Sequence, residues 1–505
     1  MTAPIHDVIV IGAGFSGLGM GIALDRAKLH DFVILERDAE VGGTWWANQY
    51  PGCACDVESQ LYSFSFELNP RWSHTFARQP EILAYLKGVA DKYDLRRRIR
   101  LGTTATGATF DERTGVWTVT TDGGETLHAR AVASCSGGLS QPSFPTIEGL
   151  ERFEGTRFHS AKWDHAASLA GKRVGIIGTG ASAIQIVPEV AGKVGQLHVF
   201  QRTPPWIVPR LDRSIGDVEK RFYEAVPWAQ RLIRAAYYWR RELLIGPGLV
   251  SRGRITKMLE RVARLHLERS VPELDLRAKL RPDYVIGCKR ILISNDYYPA
   301  LRRSNVELVT DGIERIEARG VRTRDGRLHE LDVLVLATGF EASEQAVRFP
   351  VRGRGGRALR DAWAGGMEAY LGTTISGFPN FFTIPGPNIG GGHNSLVFML
   401  EAQIHYAVSA LMTLRDRGSA WADVKPEAQA RYNRRLQSRF EDTVWASGCR
   451  AWYQTPSGRQ TVLYPDLTYK FHLLTRKFDA HNYEVAPRAE AAGAAAEPLT
   501  AAPTP

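Results

Sequence analysis

Long hydrophobic runs are missing from this 505-residue chain: nowhere do 18 or more apolar residues follow one another, so no membrane-spanning helix is expected. The stretch Met1 to Ile5 carries no basic segment ahead of an apolar one, and no secretory leader is expected either. Cysteine is scarce. Five residues, an odd number scattered along an enzyme-sized chain, argue against a disulfide framework and for a reducing, cytoplasmic location. Cys53 and Cys55 stand one residue apart, without the C-x-x-C spacing of a thiol-redox site, and read as small buried residues. No metal-ligand pattern is present, and no metal is expected. Acidic residues are outnumbered 54 to 64, giving a net charge of +10. The excess is spread out, however. Runs such as Arg96-Arg97-Arg98 read as solvated faces, and without a recognition module the charge does not imply a nucleic-acid partner.

Glycine is abundant, with 48 residues, and it is concentrated where it matters. The run Asp7 to Ile11 has the apolar character of a buried strand; Gly12-Ala13-Gly14-Phe15-Ser16-Gly17 follows, then an apolar stretch of helical length. Strand, tight turn and helix in that order make a dinucleotide-binding unit whose helix N-terminus faces a pyrophosphate. A second strand, Phe32 to Leu35, ends in Glu36, 24 residues after Gly12. A carboxylate there accepts hydrogen bonds from both ribose hydroxyls and repels a 2'-phosphate, which suits the adenosine half of FAD.

The pattern recurs. Arg173 to Ile177, then Gly178-Thr179-Gly180-Ala181-Ser182-Ala183 and a strand Leu197 to Phe200 lead into Gln201-Arg202-Thr203. Arg202 holds the offset from Gly178 that Glu36 holds from Gly12. A guanidinium in place of the carboxylate grips a 2'-phosphate, so the second nucleotide is expected to be NADPH.

A bare G-x-G-x-x-G arises by chance roughly 0.4 times in a chain of this composition, so the loops alone decide little. Two longer patterns decide more. Gly42-Gly43-Thr44-Trp45-x-x-x-x-Tyr50-Pro51-Gly52-x-x-x-Asp56 follows the first unit, and Phe153-x-Gly155-x-x-x-His159-x-x-x-Trp163-Asp164 lies between the two. The second pattern has roughly one chance occurrence per thousand such chains even before Asp164 is counted. Together they resemble the fingerprints of type I Baeyer-Villiger monooxygenases, which insert one oxygen atom of O2 beside a ketone carbonyl.

The resemblance reaches to about Tyr483. It implies an α/β fold of two Rossmann-like dinucleotide-binding domains, for FAD and NADPH, with a helical insertion. It also implies a cycle in which NADPH reduces FAD, O2 adds at flavin C4a, and the adduct attacks a bound ketone to give an ester or lactone. Gly287-Cys288-Lys289-Arg290 matches the place of the family's active-site arginine, which assigns Arg290 to the catalytic cation and Lys289 to the 2'-phosphate of NADPH. Asp56 is expected to face Arg290, with a helix N-cap for Val57-Glu58-Ser59 as the other reading. Trp45 and Tyr50 are expected beside the flavin, with Gly43 and Thr44. His159 is read as a structural histidine on a hinge rather than a proton carrier. Asp296-Tyr297-Tyr298-Pro299 and Gly448 to Tyr453 resemble the 4-hydroxyacetophenone monooxygenase branch more than the cyclohexanone branch, pointing to aryl or bulky ketones. A flavin-containing N- or S-oxygenating monooxygenase is the alternative, its linking motif ending in Tyr or Phe where Trp163-Asp164 stands here.

The expected organisation is an FAD-binding domain at 1–148 and 371–485, an NADPH-binding domain at 149–210 and 284–370, a helical insertion at 211–283 and a disordered tail at 486–505. The expected partners are a ketone and O2. Oligomeric state is left open.

Overall fold

The computed structural model describes residues 4–341 and 347–487. Two parallel sheets organise them. In the first, Ile5–Ile11 lies between Phe32–Leu35 and Thr126–Ser134, all parallel, with Ile11 level with Leu35 on one side and Ser134 on the other. Val8, Ile9 and Val10 have no exposed surface, because helices cover the face of Val8 and Val10 while Phe110, Trp117 and Phe378 pack in the cluster on the face of Ile9; this is why the strand reads as an unbroken apolar run. Phe381–Thr383, from the distant C-terminal stretch, adds in parallel to Thr126–Ser134 and ties that stretch to the N-terminal sheet. An antiparallel ladder, Ala105–Asp111 against Val116–Thr121, joins the same edge of Thr126–Ser134 nearer its start.

The second sheet has five parallel strands in the order Val306–Val309, Gln196–Phe200, Arg173–Ile177, Val333–Leu336 and Thr156–His159. The α/β fold with two Rossmann-like cores is therefore present. Thr156–His159, the centre of the linking motif, is the edge strand, and His159 lies level with Leu336. A Cβ on Gly155 would sit 2.6 Å from the Asp332 carbonyl oxygen, so the motif's glycine lets the chain enter the sheet at all.

Helices Asp217–Ala225, Pro227–Arg240, Arg254–Ser270 and Leu274–Leu280 fill the stretch where strand signals disappear. One helix, Leu396–Asp416, is long and apolar enough by composition to cross a membrane, but half of it is buried in the core against Phe15–Arg26. Ala486 and Pro487 end a strand, Tyr483–Pro487, rather than beginning the expected tail; the remainder of that tail, 488–505, lies outside the described residues.

Candidate active site

The two glycine loops are built alike. Gly12 has φ +105° and a Cβ there would lie 2.5 Å from the Cys135 carbonyl oxygen; Gly178 has φ +117° and a Cβ would lie 2.3 Å from that of Ala337. Each loop feeds a helix, Phe15–Arg26 or Ala181–Ala191, whose N-cap is glycine and whose first-turn N–H groups receive no side-chain cap. Those amides are free to meet an anionic group, which fits a pyrophosphate at both places.

Around the first loop runs a cleft lined by Gly12, Gly14, Phe15, Ser16, Glu36, Gly43, Thr44 and Trp45, as well as by Arg37, Asp38 and Arg348. Gly17 lies beneath it, packed on Gly12. Glu36 is buried; its carboxylate accepts from the backbone N–H groups of Ala13 at 2.6 Å and Asp38 at 3.0 Å. Burial raises its pKa against those two hydrogen bonds. Arg348 gave no signal in the sequence. Its three guanidinium nitrogens are buried without a hydrogen-bond partner among the described residues, and burial, then Arg37, push its pKa down to about 10. A buried cation lining the cleft is suited to an anionic ligand group.

The second loop is open. Gly180 and Ala181 are exposed, Ser182 is half-buried, and the Thr179 hydroxyl donates to the Thr203 carbonyl at 3.1 Å. Arg202 is exposed at the strand end. Lys289, half-buried with its ammonium 4.9 Å from the Tyr284 ring, is lowered in pKa first by burial and then by the charge of Arg202. Two cations placed so that the charge of one is felt by the other form an anion-attracting pair.

Between the loops, Arg290 and Asp56 meet across 234 residues of sequence. Arg290 donates from Nη2 at 2.6 Å and Nε at 3.2 Å to Asp56 Oδ2, and from Nη1 to the Gly391 carbonyl at 3.4 Å. Burial opposes ionisation of Asp56, but Arg290 and then Arg241 hold the carboxyl below its ordinary range. About a third of each side chain stays exposed. The capping reading of Asp56 fails, since no helix forms at Val57-Glu58-Ser59.

Arg241 is the residue the sequence hid. It donates to the Asp56 carbonyl at 3.1 Å, to Glu58 Oε2 at 2.6 Å and to the His393 carbonyl at 3.1 Å, while Arg240 also pairs with Glu58. Tyr50 is outside the first cleft; its hydroxyl donates to Gln185 Oε1 at 2.9 Å, on the second unit's helix. Trp45 Nε1 donates to the Tyr62 hydroxyl at 3.3 Å.

The cysteine reading needs correcting. Cys288, two residues from Arg290, forms a disulfide with Cys449, 161 residues away, at a Cα separation of 6.2 Å. Nothing local in the sequence signals such a pairing. Cys53, Cys55 and Cys135 are free and buried, and burial pushes the Cys53 thiol up to about 12, so no reactive dithiol is formed there.

His159 sits between the two connectors that join the sheets. Its ring packs edge-on against Phe144 at 5.6 Å and Phe340 at 6.2 Å, and Nδ1 accepts from the Ala161 N–H at 3.0 Å. The connectors are themselves joined by Ser143 N–H to the Gly339 carbonyl at 2.9 Å and the Thr338 hydroxyl to the Ser143 carbonyl at 2.7 Å. Burial lowers the His159 pKa to about 4, so the ring is neutral.

Residues 9–227 match the family model described as pyridine nucleotide-disulphide oxidoreductase. A Baeyer-Villiger monooxygenase of Pseudomonas aeruginosa is 47% identical, covering 95% of this chain and 91% of its own. One of Streptomyces coelicolor is 44% identical, over 95% and 93%. The closed crystal structure of cyclohexanone monooxygenase superposes with a TM-score of 0.87 at 31% identity, covering 96% of this chain and all of that one. That of OTEMO in complex with FAD and NADP gives 0.86 at 28%, over the same shares. The chain belongs to the Baeyer-Villiger monooxygenase family.

Proposed function

We propose that this enzyme uses FAD, NADPH and O2 to convert ketones to esters or lactones, with Arg290 as the catalytic cation and Asp56 as the group that orients it. The observation that carries this assignment is the Arg290–Asp56 pair set between two uncapped glycine loops, one beside a carboxylate and one beside two cations. FAD, when bound in the first cleft, supplies the redox and oxygen-activating chemistry. Gly12, Gly14, Phe15 and Ser16 would hold its pyrophosphate, Glu36 its ribose, and Gly43, Thr44 and Trp45 the same cleft further along. Thr179, Gly180, Ala181 and Ser182 would receive the pyrophosphate of NADPH, and Arg202 with Lys289 its 2'-phosphate.

Arg290 keeps its charge when desolvated, because Asp56 raises its pKa further against burial. Asp56 and Gly391 take only part of its five N–H donors, and the remainder are left for a reacting oxygen. They stabilise negative charge as it develops on the ketone oxygen. Arg241 and Glu58 hold the backbone of Asp56 in place from behind. His159 neither gives nor takes a proton; it wedges the two connectors and sets how the two units move relative to each other during hydride delivery.

Two further readings concern substrate and place. The half-exposed Trp452 beside Tyr453, ring centroids 4.6 Å apart, supports aryl or bulky ketones. A cytoplasmic location, where NADPH is regenerated, is kept in spite of the Cys288–Cys449 bridge, which there faces reducing conditions.

Incubation with NADPH and a panel of cyclic, aryl and linear ketones tests the reaction. Esters or lactones are expected; sulfoxides or N-oxides from heteroatom compounds, with no ester from any ketone, overturn it. Arg290→Ala should still oxidise NADPH but release hydrogen peroxide, with ester formation down about 10²–10³-fold. Full ester formation by that variant removes Arg290 from the role.

A further inference from the structure

The helix Pro227–Arg240, continued by a π-turn Arg241–Ile245, is turned inside out. Its buried face is polar. Gln230 bonds the Asn69 carbonyl at 2.6 Å, Arg234 the Leu61 carbonyl at 2.8 Å, Tyr238 the Thr468 hydroxyl at 3.1 Å, and Glu242, with no exposed surface, the Thr468 N–H at 3.0 Å. The outward face is apolar: Trp228, Leu232, Trp239 and Leu243 recur at helical spacing and are 62, 59, 46 and 58% exposed. Ala235 and Ala236, also exposed, fill the gap in the row, so the stripe runs unbroken along a helix of about 28 Å. It continues sideways, because the Trp239 ring meets Tyr469 at 6.1 Å on the short helix that also exposes Leu473 and Leu474.

Isolated exposed apolar residues are ordinary, but a continuous row of this length marks a surface that meets something apolar. Two occupants present themselves, a bilayer and a second copy of the chain. Charge separates them. Residues 211–283 hold sixteen basic against ten acidic residues, so this stretch supplies +6 of the chain's +10. Arg231 borders the stripe, and its side chain forms no hydrogen bond or ion pair among the described residues; the same holds for the side chain of Arg221 on the adjoining helix Asp217–Ala225. Pairing this face with its own copy would bring unneutralised cations towards each other. An anionic lipid surface neutralises them while the tryptophans and leucines enter the headgroup boundary, the composition typical of interfacial helices.

We propose that the outward face of residues 227–245, with the adjoining face of Thr468–Leu474, is a docking surface for an anionic bilayer. This holds whichever ketone is turned over. The opposite face of the same helix carries Arg241, bonded to the Asp56 carbonyl, so the docked surface backs directly onto the active site.

The test is cosedimentation of the full-length, flavin-loaded enzyme with phosphatidylcholine vesicles that contain or lack phosphatidylglycerol. Binding to the anionic vesicles, a blue shift of tryptophan emission on binding, and release by salt are expected. The double variant Trp228→Glu, Leu232→Glu should partition more than about tenfold less, and Arg231→Gln about fivefold less, with turnover of a soluble ketone unchanged. The single variant Leu232→Ser, read for the same loss, replaces the double variant should that one fail to fold. The proposal is overturned by wild type that ignores anionic vesicles, by variants that bind as well as wild type, or by ultracentrifugation showing a dimer that the Leu232 variant dissolves.

Discussion

The two glycine loops share a backbone and differ in everything around it. The first lies in a cleft closed by residues from four distant stretches, Gly43 to Trp45, Leu139 to Gln141, Arg348 to Phe349, and Leu396 with Leu400. The second faces solvent, with Gly180, Ala181 and Arg202 all exposed. At equivalent offsets one carries a buried carboxylate, Glu36, and the other an exposed guanidinium, Arg202. An enclosed site with its own hydrogen-bonded carboxylate holds a nucleotide through many turnovers, whereas an open site edged by two cations lets a charged nucleotide come and go. Loops of like backbone are thus set in unlike surroundings.

The comparison is tested most severely by the bridge between the halves. Cys449→Ser releases Cys288 beside Arg290, and opening a 161-residue loop should lower stability by about 2–5 kcal/mol in denaturant titrations under oxidising buffer. No change would show that the units hold their relation without it. Glu36→Ala should leave most purified protein colourless, with FAD affinity reduced about a hundredfold, because the replaced carboxylate also anchors the Ala13 and Asp38 amides. A fully yellow variant would mean that enclosure alone retains the flavin. Arg202→Ala should raise KM for NADPH about tenfold and leave KM for NADH within twofold. Equal effects on both cofactors would move recognition of the 2'-phosphate to Lys289.

The smallest effect concerns the wedge between the units. His159 titrates at about 4 when folded and near 6.5 when unfolded, a depressed base. Above pH 6.5 both states are neutral and nothing is lost. As pH falls through 6.5 towards 4 the unfolded chain takes up a proton that the folded one refuses, and stability declines. From pH 6.5 to 5.5 the decline from this group is about 1 kcal/mol. His159→Gln should remove that share from the slope of unfolding free energy against pH; an unaltered slope assigns it to other groups.

What was legible in the sequence follows from distance along the chain. The glycine turn and the end of the next strand lie 24 residues apart, so Glu36 and Arg202 could be read from spacing. Phe32–Leu35 and Arg173–Ile177 were legible because fully covered parallel strands are apolar without alternation. Arg290 and Asp56 were reachable only through a family pattern, since 234 residues separate them. Arg241, Arg348 and the Cys288–Cys449 bridge were not reachable. Each becomes special through neighbours brought from far away, and an arginine or cysteine in isolation carries no mark of what it will touch. The partner of Tyr50 was out of reach for a related reason: the motif gave its position, while only the fold brings its hydroxyl to Gln185 in the other unit.

Arg240, Arg241 and Arg290 share two carboxylates, Asp56 and Glu58, so the group ends one positive charge in excess. Such a spot does not distinguish a reacting oxygen from any other small anion that fits. Halide and nitrate are therefore expected to become rivals of the chemistry itself.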